Sequence, residues 1–119
     1  TMWQSGHFMT VVLSMSMMWM GVLYHHYPVL TGRKLDPALG YLYVKLISVG
    51  SLGAAIVMLA GGAAGMPRRF ADWHPEGWML YGNLILLFGL ILGASFAVYL
   101  YNLMKSRENS APMGALARA

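Results

Sequence analysis

Three stretches of the chain carry no Lys, Arg, Asp or Glu: residues 1–32, 46–67 and 77–104. A helix needs about 20 residues to cross the hydrocarbon core of a bilayer. Each stretch is therefore long enough to span once, and none is long enough to span twice with a turn. Apolar residues run continuously instead of alternating, which predicts helices and not barrel strands. The pattern predicts an all-α membrane protein with three transmembrane helices at about 8–30, 41–64 and 78–104, together forming one unit over 1–105, and a polar tail over 106–119. The connections hold Gly32 and Pro37 in the first case and Gly65, Pro67 and Pro75 in the second, as helix stops require.

The first span does not read as a signal peptide, because no basic segment precedes it and two further spans follow. The chain opens on Thr1 and not on Met, which leaves the native start open between an upstream position and a processed one.

Composition sharpens this picture. Of 119 residues, 58% are apolar and 10% charged, against about 25% charged in an ordinary soluble domain, and the mean hydropathy is +0.55. Too few charged side chains remain to coat a soluble monomer. The absence of cysteine removes disulfide scaffolds, thiolate metal sites and Cys nucleophiles. The net charge of +4 is divided among distant short loops, which argues against a nucleic-acid partner and for the lipid bilayer as the surroundings.

Charge also predicts orientation. With three passes, the first loop and the tail lie on one side. That side holds Arg33, Lys34, Lys45, Lys105, Arg107 and Arg118 against Asp36 and Glu108. The other side holds Arg68 and Arg69 against Asp72 and Glu76. The bias in Lys and Arg predicts a cytoplasmic first loop and C-terminus, with the N-terminus and the Arg68-Arg69 loop outside. Trp3, Trp73, Trp78 and Tyr81 then form an outer aromatic belt, and Tyr24, Tyr27, Tyr41, Tyr43, Tyr99 and Tyr101 an inner one. Gly61-xxx-Gly65 and Gly89-xxx-Gly93 read as small-residue faces that let helices approach closely. The expectation is a chain packed in a larger helical complex; the plainer alternative is three helices packed only on one another.

Four histidines are candidates for chemistry: His7, His25, His26 and His74. An ionisable group at membrane depth is a functional hypothesis by default, although an imidazole near the interface is also easily hydrated. His25 and His26 are adjacent, so on a helix they point about 100° apart and do not converge on one ion. Most of the 11 methionines read as packing, since Met15, Met17, Met18 and Met20 cover nearly every side of one helix. From residue types alone no reaction can be named.

Two runs carry a resemblance. Gly6-His7-Phe8-Met9, Val12-Leu13-Ser14-Met15, Gly21-Val22-Leu23-Tyr24 and Pro28-Val29-Leu30-Thr31-Gly32-Arg33 resemble the tenth helix of subunit I of the haem-copper oxidases. Gly65-Met66-Pro67-Arg68-Arg69-Phe70-Ala71-Asp72 is similar to that family's Gly-Met-Pro-Arg-Arg-Tyr loop before its last core helix. The resemblance runs from about Gly6 to Lys105 and covers only the last three core helices of that subunit.

The resemblance implies roles residue by residue. His7 matches the proximal ligand of the high-spin haem. Met9 stands where the family has the histidine of the low-spin haem. Residues i and i+2 on a helix lie about 200° apart, so one helix can serve two haems on opposite sides. Arg68 and Arg69 match the pair that contacts haem propionates, for which two guanidiniums are suited by bidentate hydrogen bonding; the alternative is a solvated interfacial pair. For Met9 three readings stand: a thioether axial ligand, a packing residue at a site that has lost its haem, or a one-residue register shift that brings Thr10 or Phe8 to the ligand position.

The metal sites that the resemblance implies for this chain are His7 and Met9, and the implied cofactor is haem, held by this chain alone or shared with a partner chain; copper would sit on a partner chain only. The function implied is part of a terminal oxidase reducing oxygen to water with proton translocation in a prokaryotic cytoplasmic membrane, as a split or truncated subunit I that is not catalytic alone. Its partners would be the other oxidase subunits, including a chain with the missing helices, and a cytochrome, cupredoxin or quinol donor. The alternatives are a haem-free structural subunit of such a complex, or a small haem b electron-transfer anchor or nitric-oxide-reductase-like subunit on His7.

Overall fold

The computed structural model describes residues 1–68 and 77–108. Its elements are α1 (Met2–Thr31), a two-residue strand β1 (Arg33–Lys34), α2 (Pro37–Ala63), α3 (Gly77–Lys105) and a two-residue strand β2 (Arg107–Glu108). All three helices are long and apolar enough to cross a membrane. They start earlier than the charge-free pattern places the spans, most clearly at α1, because polar residues such as Gln4 and Ser5 continue a helix beyond the depth at which they suit hydrocarbon. Hydropathy marks the membrane and not the helix end.

Each described helix end has a local cause. Gly32 adopts φ 66°, ψ 18°, and its N–H caps the Pro28 carbonyl of α1. Asp36 is the N-cap of α2: its carboxylate accepts from the Ala38 N–H at 2.9 Å, and Pro37 occupies the first turn, where the missing N–H costs nothing. At the far end of α2, Gly65 takes φ 85°. Its N–H donates to the Gly62 carbonyl at 3.1 Å, and the Met66 N–H donates to the Gly61 carbonyl at 2.9 Å. This pair of bonds is a Schellman closure, and Pro67 follows where the helix can no longer continue.

The helices form a row with α2 in the middle. Both α1 and α3 pack along α2, while the backbones of α1 and α3 do not approach one another. The apolar window of α2 is 39% buried within the chain, against 11% for each flanking helix. The glycines that make this closeness possible are Gly6, Gly50, Gly53 and Gly62. A Cβ at Gly50 would lie 2.8 Å from the Leu92 backbone nitrogen, one at Gly6 would lie 2.9 Å from that of Leu59, and one at Gly62 would collide with the backbone of Trp3. Of the small-residue faces expected at Gly61-xxx-Gly65 and Gly89-xxx-Gly93, Gly61 is a contact, since a Cβ there would lie 3.2 Å from the Met66 sulfur and 3.4 Å from the Tyr81 ring of α3. Gly65 lies beyond the end of α2, and a Cβ at Gly65, Gly89 or Gly93 would meet nothing within the described residues. Spacing identifies a small-residue stripe but cannot say which way it faces.

The core lies toward the end that carries the α1–α2 loop. Tyr43, Ile47 and Tyr99 are buried, with Met17, Met20, Tyr24, Leu92 and Phe96 against them. Tyr24 stacks on Tyr43 with ring centres 5.9 Å apart, and Tyr99 tilts against both at 4.9 and 5.1 Å. The Tyr43 hydroxyl donates to the Met20 sulfur. Three of the tyrosines expected in the inner belt therefore pack at the core, where the Tyr24 and Tyr43 hydroxyls find partners inside the chain and the Tyr99 ring rests on both; Tyr41 and Tyr101 remain exposed.

Asn102 of α3 is fully buried and joins all three helices. Its amide donates to the Tyr24 hydroxyl and to the Asp36 carbonyl, each at 3.0 Å, and its oxygen accepts from the Asp36 N–H at 3.0 Å. At the same end, β1 and β2 pair antiparallel, Arg33 with Glu108 and Lys34 with Arg107. The start of the tail is thus a strand laid on the first loop, which its polar composition did not predict. The rest of the expected tail, 109–119, lies outside the described residues.

Candidate functional site

At the other end of the row, the α2 closure sets the geometry. Met66 is buried to 1% exposure, and its sulfur lies 3.2 Å from where a Gly61 Cβ would be. The Met66 carbonyl accepts from the Met2 N–H at 2.9 Å. That bond satisfies one of the donors left free at the start of α1. It fixes the loop against the first turn of α1, and the chain then delivers Arg68 beside Gln4. The Arg68 guanidinium donates to the Gln4 side-chain oxygen at 3.0 Å.

Gly65-Met66-Pro67-Arg68 can therefore be read residue by residue. Gly65 supplies the left-handed turn, Met66 plugs the α2 end, Pro67 stops the helix, and Arg68 is presented toward α1. Gln4, Ser5, Phe8 and Met9 of α1, with Met58 of α2 and Arg68, line a cleft of about 530 Å³. Its walls are apolar side chains and its polar groups are Gln4, Ser5 and Arg68. Met9 and Met58 are half-buried there.

The predicted site residues divide between two faces and one undescribed segment. Met9 and Arg68 share the cleft. His7 does not: it is exposed, and its place two residues from Met9 turns it about 200° away around α1. Arg69 lies outside the described residues, as do Trp73 and His74. Of the residues considered for a shifted register, Phe8 lines the cleft and is 66% exposed, whereas the Thr10 hydroxyl donates to the Gly6 carbonyl at 2.9 Å and so is engaged within its own helix.

His25 and His26 are exposed and meet edge to face with ring centres 5.0 Å apart. Among the described residues, no three His, Asp or Glu side chains gather where one metal ion could be held.

Two cleft residues had no signal of their own in the sequence. Gln4 is a common helix residue, but it sits one turn before Phe8 on the same face, which could have marked it. Met58 is one methionine among 11; only the close approach of α1 and α2 brings it opposite Met9.

The arrangement suits a planar apolar group with anionic substituents. The cleft offers an apolar wall, a thioether that can act as a soft axial ligand, and a guanidinium held in place by an amide. On the reverse face, His7 offers an exposed imidazole. That donor set fits haem, with His7 and Met9 addressing opposite sides of α1.

The chain is similar to known proteins over most of its length. The chain is 34% identical over 71% of its length to cytochrome c oxidase subunit 1 of Corynebacterium glutamicum. It is 32% identical over 92% of its length to a probable cytochrome c oxidase subunit 1-alpha of Streptomyces avermitilis, and 36% identical over 71% of its length to cytochrome c oxidase subunit 1 of Thermostichus vulcanus. It spans 15–19% of the length of these relatives. No family model and no solved structure matches. Three helices long enough to span a bilayer, a Gly-Met-Pro-Arg loop docked on the first helix, and relatives of one kind over most of its length make this chain a multi-pass membrane protein of the haem-copper oxidase subunit I family, matching that subunit as a segment.

Proposed function

We propose that the chain is the last three core helices of subunit I in a split or truncated form, acting in a terminal oxidase complex that reduces oxygen to water and translocates protons. The observation that carries this reading is the placement of Met9 and Arg68 in one cleft with His7 on the opposite face of α1. In this account His7 is the proximal ligand of the high-spin haem, and Arg68, with Arg69 beside it in sequence, neutralises haem propionates. Met9 supplies a thioether toward the low-spin position. The haem, when bound, supplies one-electron transfer and oxygen chemistry; the chain's own residues hold, orient and electrostatically bias it. Gln4 keeps Arg68 at the edge of the cleft, and Met66 holds the loop that carries it.

Copper, its histidines and the remaining haem ligands belong to a partner chain, so the chain alone is not catalytic. The partners are the other oxidase subunits and a cytochrome, cupredoxin or quinol donor. The membrane is the prokaryotic cytoplasmic membrane, with the Arg68 end outside and the β1–β2 end in the cytoplasm.

The test is haem content by pyridine haemochrome on the purified complex, with wild type and His7→Ala compared. The expected result is loss of one haem, with the complex still assembled. Unchanged haem content and an unchanged spectrum would remove His7 as a ligand.

A second reading has its own support. Methionine at position 9, where the family carries a histidine, favours a structural subunit that keeps the helix row and has lost its haems. The same assay separates the two: a haem-free structural subunit loses nothing in His7→Ala.

A further inference from the structure

A second concavity lies at the opposite end, between α1 and α2. It has a volume of about 430 Å³, and Met17, Met20, Gly21, Tyr24, Val44 and Ile47 are among its walls. Its mouth is the first loop, where Lys34, Leu35, Asp36 and Pro37 line it.

Its length is informative. From Pro37 to Ile47 along α2, at 1.5 Å per residue, it runs about 15 Å. From Pro28 back to Met17 along α1 it runs about 16 Å. Half of a bilayer's hydrocarbon core is also about 15 Å. The groove therefore reaches from the membrane surface to the depth at which one leaflet ends, the reach of a single acyl chain.

Its walls are opened by glycine on both sides. Gly21 of α1 has nothing within 4 Å of where a Cβ would be, and a Cβ at Gly40 of α2 would meet only the Tyr24 ring at 3.4 Å. The space is thus not a packing gap that the chain fills itself.

The mouth carries more basic than acidic residues: Arg33, Lys34, Lys105 and Arg107 against Asp36 and Glu108. Asp36, the carboxylate there, is taken by Lys105 at 3.2 Å. Lys34 and Arg33 are exposed, and in the β1–β2 pair Lys34 stands opposite Arg107, while Arg33 stands opposite Glu108. A basic group at the end of an apolar groove between membrane helices recognises an anionic head group.

We propose that the α1–α2 groove holds one acyl chain of an anionic phospholipid, with its phosphate on Lys34 at the mouth. This assignment stands apart from the haem reading, since it uses none of the same residues and lies at the opposite end.

The experiment uses the complex purified from its membrane and reconstituted in phosphatidylcholine nanodiscs. Retained and added phosphatidylglycerol are then counted per complex by quantitative lipid mass spectrometry. Wild type is expected to hold phosphatidylglycerol in preference to phosphatidylcholine. Lys34→Gln should reduce that preference about fivefold, the worth of one basic side chain near an anionic head group. Gly21→Leu, which has space for its side chain, should displace the acyl chain and reduce retention of both lipids while the complex still assembles. If Gly21→Leu prevents assembly, Lys34→Gln still decides. Equal retention of the two lipids by wild type, or an unchanged preference in Lys34→Gln, would overturn the proposal. So would a map of the complex with polypeptide in the groove.

Discussion

Arg68 shows how much a single side chain can depend on distant backbone. Its position rests on the left-handed turn at Gly65, the buried Met66 and the Met2 N–H on the Met66 carbonyl; Gln4 then fixes the guanidinium. A cation near haem disfavours the oxidised iron, which carries one more positive charge, and so raises the midpoint potential. Arg68→Ala is expected to lower a haem midpoint by tens of millivolts, the size of one unit charge at protein-like permittivity. Gln4→Ala should give a smaller shift of the same sign, because it frees Arg68 without removing it. Redox titration of the complex reads both; an unmoved midpoint in Arg68→Ala would remove the propionate role.

Asp36 is the residue-scale counterpart at the other end. The hydrogen bond from Lys105, first, and that from the Ala38 N–H hold its carboxyl below the usual carboxylate range. A lowered folded-state pKa contributes stability that is present above the unfolded value and is lost as the pH falls through the folded one. Thermal unfolding followed against pH should therefore show this contribution at neutral pH and lose it in the acid range below the ordinary Asp pKa. Asp36→Asn should abolish that dependence and keep the cap, since Asn also accepts from the N–H two residues on. Asp36→Ala should lose both and be the less stable of the two. Equal stability of the two variants would show that the cap contributes nothing.

At the scale of elements, the sequence made the three helices and their number legible, because absence of charge over about 20 residues has one physical reading in a chain this apolar. It also singled out Arg68 through the loop motif and His7 and Met9 through the helix that carries them; the structure brings Met9 and Arg68 into one cleft and leaves His7 outside it. Facing was not legible. The chain uses Gly6, Gly50, Gly53 and Gly62 for close approach and leaves Gly89 and Gly93 open, although all look alike in a string of letters. Nor could spacing show that Tyr24, Tyr43 and Tyr99 turn inward, or that buried Asn102 would bind the α1–α2 loop. Each of these depends on which helix lies beside which, and that order is set by long-range packing.

The distinction has a testable form. Gly50→Leu must push the Leu92 backbone away and is expected to cost about 1–3 kcal/mol or more, as overpacking does. Gly89→Leu should leave the α2–α3 contact intact. Thermal unfolding of the two variants in the same detergent reads the difference, and equal losses would mean that the seam is not where the helices meet.

On the scale of the whole molecule, a row of three helices with α2 between two largely bare neighbours is an incomplete bundle. In a bilayer, van der Waals packing, interhelical hydrogen bonds and lipid entropy hold helices together. Here the hydrogen bonds gather at Asn102 and the packing at the glycine seams of α2. The exposed faces of α1 and α3 and the outward imidazole of His7 are surfaces that further helices would cover.

That completion is the central claim, and iron at His7 tests it most directly. A density map of the assembled complex, with iron located by its anomalous or spectroscopic signal, should place a haem iron in bonding contact with the His7 imidazole and an adjoining polypeptide closing the other side of the porphyrin. A map in which that ring meets only lipid or water, with no iron beside it, would contradict the account and leave the chain as a scaffold.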